Sequence, residues 1–203
     1  QINVYLCHKI DQMDKNQKLI TVVLLMVVGA FARLIPHIPN FTPIESLTIF
    51  GAAYLGRKLW AIVAPLVILY ISDFIINNTV ARSFFSDVEG IVWFDSYMIF
   101  NVLAIIAIVL FSSSILQKVN IKNILISILG ASVIFFIITN FGSWASEKSI
   151  YTNDLSGLLT SYTAGLPFFR TSLLSNLVFS GILFGSYEII IRLVRRKAAL
   201  DRV

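Results

Sequence analysis

The sequence predicts an all-α fold, a polytopic membrane bundle of six transmembrane helices with both termini on the cytoplasmic side. Composition, the number of apolar stretches and the placement of basic residues all lead to this prediction. Of the 203 residues, 57% are hydrophobic and 13% are charged, and the mean hydropathy is +0.84. A soluble domain of this size needs more polar surface than that composition supplies, so we expect the chain to lie in a lipid bilayer.

Six apolar stretches predict the spans, because crossing the hydrocarbon layer takes about 20 helical residues. They are residues 19–35, 43–56, 59–77, 97–116, 123–144 and 171–191. The second is too short for a straight span, so we expect it either to lie shallow or to be shielded by its neighbours where the bilayer thins.

Two long loops, 78–96 and 145–170, are expected outside the membrane. They are rich in amphipathic aromatic residues, which favours an interfacial belt at the lipid headgroups. The alternative is that these loops are lids over an outward-facing pocket, because long loops in compact proteins are often functional.

The basic residues set the predicted orientation. Twelve fall in segments expected inside: Lys9, Lys15, Lys18, Arg57, Lys58, Lys118, Lys122, Arg192, Arg195, Arg196, Lys197 and Arg202. Four fall outside: Arg33, Arg82, Lys148 and Arg170. The excess of inside basic residues predicts cytoplasmic termini, and omitting the second span would break this agreement. It also explains the net charge of +5 without a nucleic-acid partner.

The expected domain organisation is a single membrane domain over residues 18–197, with cytoplasmic tails over 1–17 and 198–203. Met13 stands directly before the first apolar stretch and is a natural start position, which would leave residues 1–12 outside the fold. Cys7 is the only cysteine, which excludes an intrachain disulfide and a paired-cysteine redox or zinc site.

No motif predicts catalysis, a metal or a cofactor. Residues 51–58, GAAYLGRK, lack the Lys-Ser/Thr ending of a phosphate-binding loop, so ATP hydrolysis by that route is not expected. Gly-x-Ser-x-Gly and His-Glu-x-x-His patterns are also absent from the sequence. We therefore expect a protein that is not an enzyme, and an intramembrane enzyme is the third hypothesis.

Two further patterns predict packing. Gly181 and Gly185, like Ser127 and Ala131, have the spacing that allows helices to approach closely, with contact to a partner protein as the alternative. Residues 188–192 place a glutamate four residues before an arginine, which predicts a structural ion pair on one helix face.

Polar side chains share a depth in the outer half of the predicted bundle. At about 1.5 Å per residue from the cytoplasmic basic anchors, Arg33 and Asp73 both lie about 22 Å in, and Glu45 about 18 Å. Asn101, Asn140 and Asn176 lie about 24–27 Å in. This shared level predicts one outward-opening cavity, because buried polar groups need water or a partner. The alternative is snorkelling, or structural pairing of Arg33 with Glu45 or Asp73.

The first outer loop is stiffened by three prolines, Pro36, Pro39 and Pro43, which fix the backbone and remove donors. Pro43 is well placed to start a helix. His37, Asn40 and Thr42 supply both donors and acceptors, which suits a polar organic ligand better than a bare ion. His37 has no second histidine near it, so we predict no metal; a structural, hydrogen-bonded histidine is the alternative for it.

Five sequence blocks resemble an uncharacterised bacterial family of transport proteins, similar to the substrate-binding S components of energy-coupling factor vitamin transporters. They are RLIPHIPNFTPI at 33–44, IFGAAYL at 49–55, SD at 72–73, TNFGSW at 139–144 and LPFFR at 166–170. The resemblance implies capture of a vitamin or related metabolite from the outer side. It also implies delivery through a separate transmembrane coupling subunit driven by two ATPases.

One feature of S components is missing, since residues 19–35 contain no Ala-x-x-x-Ala docking face. The chain would then dock through another helix or work alone. We hypothesise a vitamin-type solute uptake protein of the bacterial cytoplasmic membrane. The predicted ligand-binding residues are Arg33, His37, Asn40, Glu45, Asp73, Asn140, Trp144 and Arg170. The two arginines would hold an anionic or carbonyl-rich group, and Trp144 would stack on a flat ring. The second hypothesis is a structural or accessory subunit of a larger membrane complex.

Overall fold

The computed structural model describes residues 15–35, 38–55, 59–85, 89–95, 97–146 and 149–200. Within these residues the fold is all-α, as predicted. The six helices are α1 (Lys15–Ala32), α2 (Ile44–Tyr54), α3 (Leu59–Asn78), α4 (Met98–Ile115), α5 (Ile121–Ala145) and α6 (Leu155–Leu200). A short 3-10 turn, Arg82–Phe85, lies between α3 and α4.

The length and apolarity of the helices are those of a helical membrane protein. Helices α3, α4 and α5, and residues 155–197 of α6, are long and apolar enough to cross a bilayer, and α1 is a shorter apolar helix. Large aliphatic side chains are exposed along the outward surfaces of these helices, for example Leu24, Val67 and Leu129. Lipid is the solvent in which such surfaces are stable.

Helix α2 is the centre of the bundle. It has 11 residues, and every residue from Ile44 to Ala52 is buried. It contacts each of the other five helices. Of the two sequence-based expectations for this short helix, shielding by its neighbours is therefore the one observed. It starts directly after Pro43, as its sequence predicted.

Helix boundaries agree with the predicted spans within about four residues for α1 to α5, whereas α6 starts 16 residues before its predicted span and ends nine residues after it. Residues 155–170 were expected in an outer loop, but α6 already begins at Leu155 and continues for 46 residues through Pro167. The expectation of a loop is therefore wrong over residues 155–170, while the described part of 146–154 does connect the two helices as a loop. This segment is rich in Ser, Thr and Gly, so its hydropathy is low, yet its hydroxyls bind α5: Ser161 donates to the Asn140 carbonyl at 2.6 Å, and Tyr162 to the Ile137 carbonyl at 2.9 Å.

Other packing expectations have mixed outcomes. Ser127 and Ala131 are fully buried, as the small-residue spacing predicted for a close helix contact. Gly181 and Gly185 instead face open space, with no atom within 4 Å of where a Cβ would stand. The Glu188–Arg192 ion pair is confirmed at 2.8 Å, on an exposed face.

Candidate functional site

A half-open cavity of about 160 Å³ lies where three connecting segments meet at one end of the bundle. We call it the loop cavity. Its lining comes from the segments before α2, α4 and α6, and from the facing surfaces of α5 and α6. The lining residues are Asn40, Tyr97, Ser132, Phe135, Phe136, Thr139, Asn140, Ser143, Tyr151, Ala164, Gly165, Phe168, Phe169 and Ser172. None of these carries a charged side chain, so the cavity offers hydroxyl, amide and aromatic groups.

The polar wall is held in place by bonds to the helix backbone. Asn140 donates its Nδ2 to the Phe136 carbonyl one turn earlier, at 2.8 Å. Tyr97 donates its hydroxyl to the Thr139 carbonyl at 3.0 Å. These bonds fix the orientation of the carboxamide and of the phenol ring, which a ligand would otherwise have to immobilise at an entropic cost.

Gly165 allows α6 to approach this wall. A Cβ at position 165 would stand 2.7 Å from Cγ and 2.8 Å from Nδ2 of Asn140, and nearer still to its Oδ1. Glycine is thus the residue that lets the Asn140 carboxamide lie against α6.

Aromatic rings form another part of the lining. The rings of Phe136 and Phe169 meet edge to face with centroids 5.2 Å apart, and the ring of Tyr162 lies 5.7 Å from that of Phe136. This geometry is favourable for aromatic pairs and presents ring surface to a flat ligand.

Below the cavity lies a buried hydrogen-bond network around Glu45, which is 2% exposed. Asn176 donates its Nδ2 to Glu45 Oε2 at 2.5 Å and to Ser132 Oγ at 2.8 Å. Ser172 Oγ lies in hydrogen-bond contact with Glu45 Oε1. Ser46 donates to Asn176 Oδ1 at 3.1 Å. Since Ser132 and Ser172 also line the loop cavity, they join its floor to the Glu45 carboxyl.

Arg33 and Asp73 form a separate, partly buried ion pair. Arg33 Nη2 lies 2.5 Å from Asp73 Oδ1, and Nη1 donates to Ser72 Oγ at 2.7 Å. Asp73 lines a second cavity of about 190 Å³ together with Asp95. We call it the acidic cavity. Tyr97 lines both cavities and stands between them.

Trp144 holds the segment between α5 and α6. Its Nε1 donates to the Thr152 carbonyl at 3.0 Å. Thr152 in turn donates its hydroxyl to Asp154, which also accepts the Gly157 backbone N–H at 2.8 Å. The Gly157 N–H and the Thr152 hydroxyl hold the pKa of the Asp154 carboxyl below its usual range. Asp154 therefore caps the start of α6.

The eight predicted ligand-binding residues are distributed over several places. Asn40 and Asn140 line the loop cavity, and Glu45 lies beneath it. The other described members are outside this cavity: Arg33 and Asp73 pair with each other, Trp144 anchors a loop, and Arg170 is exposed. His37 lies outside the described residues. Ligand binding by any of the eight stays a prediction.

Several cavity residues were missing from the sequence-based set, among them Tyr97, Ser132, Phe136, Phe169 and Ser172. A signal for the α5 members was available. Residues 132, 136, 139, 140 and 143 follow the spacing of one helix face and alternate hydroxyl, aromatic and amide side chains. The depth of a polar residue along its helix contains no information on which face of the helix that residue occupies.

Comparisons with known proteins give one result. The model of DUF6580, described as a family of unknown function, matches residues 13–199, which is most of the chain. No curated protein and no solved structure matches the chain.

Proposed function

The chain belongs to DUF6580, and since that family is of unknown function, we propose a role from the site itself: capture of a small solute for uptake. The observation that carries the proposal is the loop cavity. It is half open, lined by amide, hydroxyl and aromatic groups, and closed below by the Glu45 network. Concave, largely pre-formed sites with a few convergent polar groups are typical of small-molecule binding.

The size and lining of the cavity define the class of solute. Its volume of about 160 Å³ is close to the ~150 Å³ of an engineered cavity that binds benzene. One small ring with polar substituents fits this space, and a larger substituent would extend through the opening. Because the lining has no charged side chain to neutralise an ion, it favours an uncharged part of the solute. This revises the anionic group that Arg33 and Arg170 were expected to hold.

The topology we propose has six passes with both ends in the cytoplasm of a bacterial cell. Its support is the distribution of basic residues, twelve in the segments of one side against four on the other. In this orientation the loop cavity opens to the outside. A vitamin or related metabolite would enter there, and the resemblance to S components supports delivery through a coupling subunit with two ATPases. The chain's own segments carry no phosphate-binding loop.

The experiment is to identify the small molecule retained by the purified protein. The protein is extracted in mild detergent, washed, denatured, and the released molecules are identified by mass spectrometry. We expect one ring-containing compound in near-stoichiometric amount, and its loss in Asn140→Ala. Asn123→Ala is the matched control: it truncates a hydrogen-bonded asparagine of the same helix, far from the loop cavity. No retained compound in wild type, or equal loss in both variants, would contradict the proposal.

A second candidate function is that of an accessory subunit in a larger membrane complex. Two observations favour it: Arg33 and Asp73 satisfy each other, and Gly181 and Gly185 present an open small-residue face on α6. Here Gly185→Leu should release a copurifying membrane protein, and the wild type should retain no solute. Under solute capture, the same variant retains the solute like wild type.

A further inference from the structure

Glu45 is a carboxyl group in the centre of a membrane bundle, and its polar neighbours are all uncharged. Its two oxygens contact Asn176 and Ser172, and Ser132 completes the surroundings. It lies in the first turn of the fully shielded helix α2. The function proposed above uses its hydrogen-bond network to close the cavity and gives the charge state of this carboxyl no role.

Charged and titratable groups on the elements around α2 are engaged elsewhere or lie apart. Arg33, which follows α1, pairs with Asp73 of α3. Tyr97, at the start of α4, bonds to α5. Arg170 of α6 is exposed. Helix α5 carries its only charged residue, Lys122, at the opposite end. Among the described residues, then, no cation compensates a negative charge on Glu45.

The Glu45 carboxyl can bind a proton without losing its hydrogen-bond contact to Asn176 or to Ser172. The Asn176 Nδ2 group that contacts Glu45 can only donate, so Glu45 Oε2 must accept. A proton on the carboxyl therefore lies on Oε1, where it donates to Ser172 Oγ. Both contacts survive, and the neutral acid avoids the several kcal/mol that an uncompensated carboxylate costs away from water. The positive end of the α2 dipole favours the anion by only about 0.3–1 kcal/mol, too little to offset that cost.

We propose that Glu45 is a proton-binding site, occupied at neutral pH, that sets the hydrogen-bonding character of the loop-cavity floor through Ser172. With the proton in place, the Ser172 hydroxyl accepts from Glu45 and is free to donate into the cavity. When the proton leaves, Ser172 must donate to the carboxylate and can then only accept from a ligand. This inference rests on the proposed function: a solute group that accepts a hydrogen bond from Ser172 binds together with one proton.

The donors around Glu45 argue for a proton over a metal cation. Asn176 directs N–H groups at both Glu45 and Ser132, while its own Oδ1 accepts from Ser46. A sodium ion would need oxygen ligands where the amide hydrogens point.

The test is infrared spectroscopy of the protein in lipid nanodiscs, with ¹³C-labelled glutamate, from mildly acidic to mildly alkaline buffer. The chain has four glutamates, Glu45, Glu89, Glu147 and Glu188. We expect a protonated carboxylic-acid carbonyl band at neutral pH that shifts with the label, which assigns it to glutamate in the unaltered protein. It should vanish in Glu45→Gln and persist in Glu188→Gln, since Glu188 is exposed and paired with Arg192.

Three results would overturn the proposal: no label-sensitive acid band at neutral pH, persistence of the band in Glu45→Gln, or its loss when sodium replaces potassium. A second measurement addresses the linkage to the solute. Retention of the copurifying molecule should fall by up to about tenfold per pH unit above the point where the acid band disappears, and Glu45→Gln should remove this dependence. If no molecule is retained, solute capture fails, while the infrared result still decides the proton site.

Discussion

Removing one partner of the Arg33–Asp73 pair should destabilise the protein much more than removing both. The nitrogen–oxygen distance is 2.5 Å, and the two side chains are 13% and 20% exposed. Asp73→Asn removes the compensating negative charge and leaves the guanidinium with a neutral amide oxygen and Ser72 Oγ as its partners. Breaking a buried pair in this way costs about 3–5 kcal/mol, which corresponds to a fall in Tm of about 10 °C for a chain of this length. Arg33→Met combined with Asp73→Leu should come within about 1 kcal/mol of wild type.

The assay is the fraction of monodisperse protein that survives heating in detergent, followed by size-exclusion chromatography. Glu188→Gln is the control, because its ion pair with Arg192 has a similar length but is exposed. It should cost at most about 0.5 kcal/mol. If Asp73→Asn shifts Tm no more than this control, or if the double variant loses as much as the two single variants together, the pair does not stabilise the bundle as reasoned here.

Two further variants test the cavity wall and the start of α6. Gly165→Ala should abolish solute retention, measured by mass spectrometry, because its Cβ would displace the Asn140 carboxamide. Gly185→Ala has open space around it, so it should retain the solute and gain up to about 1 kcal/mol of helix stability, measured by thermal unfolding. Unchanged retention in Gly165→Ala would contradict the assignment of this wall. The pKa of Asp154 is lower in the folded protein than in the unfolded chain, where it is about 4. The stability that its carboxylate supplies as a helix cap is therefore fully present above pH ~4 and is lost as the pH falls through the folded-state pKa. Thermal unfolding in acid should therefore show a steeper loss in wild type than in Asp154→Asn, and equal slopes would refute the cap.

The helices could be predicted from the sequence because their apolar runs are long and interrupted by clear boundaries. Asn120 illustrates this: its side chain accepts the Asn123 N–H at 2.9 Å and starts α5. The first third of α6 could not be predicted this way. The hydroxyls of Ser161 and Tyr162 in this segment bond to carbonyls of α5, and hydropathy contains no information on such tertiary contacts.

The candidate site could be predicted only in part. Asn140 and Glu45 share the predicted depth, and they do lie at the loop cavity or beneath it. Arg33 shares that depth too, but it pairs with Asp73 of α3, which was the alternative prediction for it. Depth fixes one coordinate of a side chain, and a second is needed: its angle around the helix. That angle follows from spacing along α5, but between helices it depends on packing.

The length of α2 explains why a cavity exists at this end. Eleven residues rise about 16 Å, roughly half of the 30 Å of hydrocarbon, so other groups must occupy the remaining depth. At the last turn of α2, aromatic rings pack together: Tyr54 lies 4.1 Å from Tyr187 and 5.7 Å from Phe184, centroid to centroid. Before its first turn the space holds the Glu45 network and the loop cavity. The Glu45 carboxyl, at the start of α2, therefore lies between the packed core of the bundle and the loop cavity. From this position, one proton can alter the hydrogen bonding of the cavity floor.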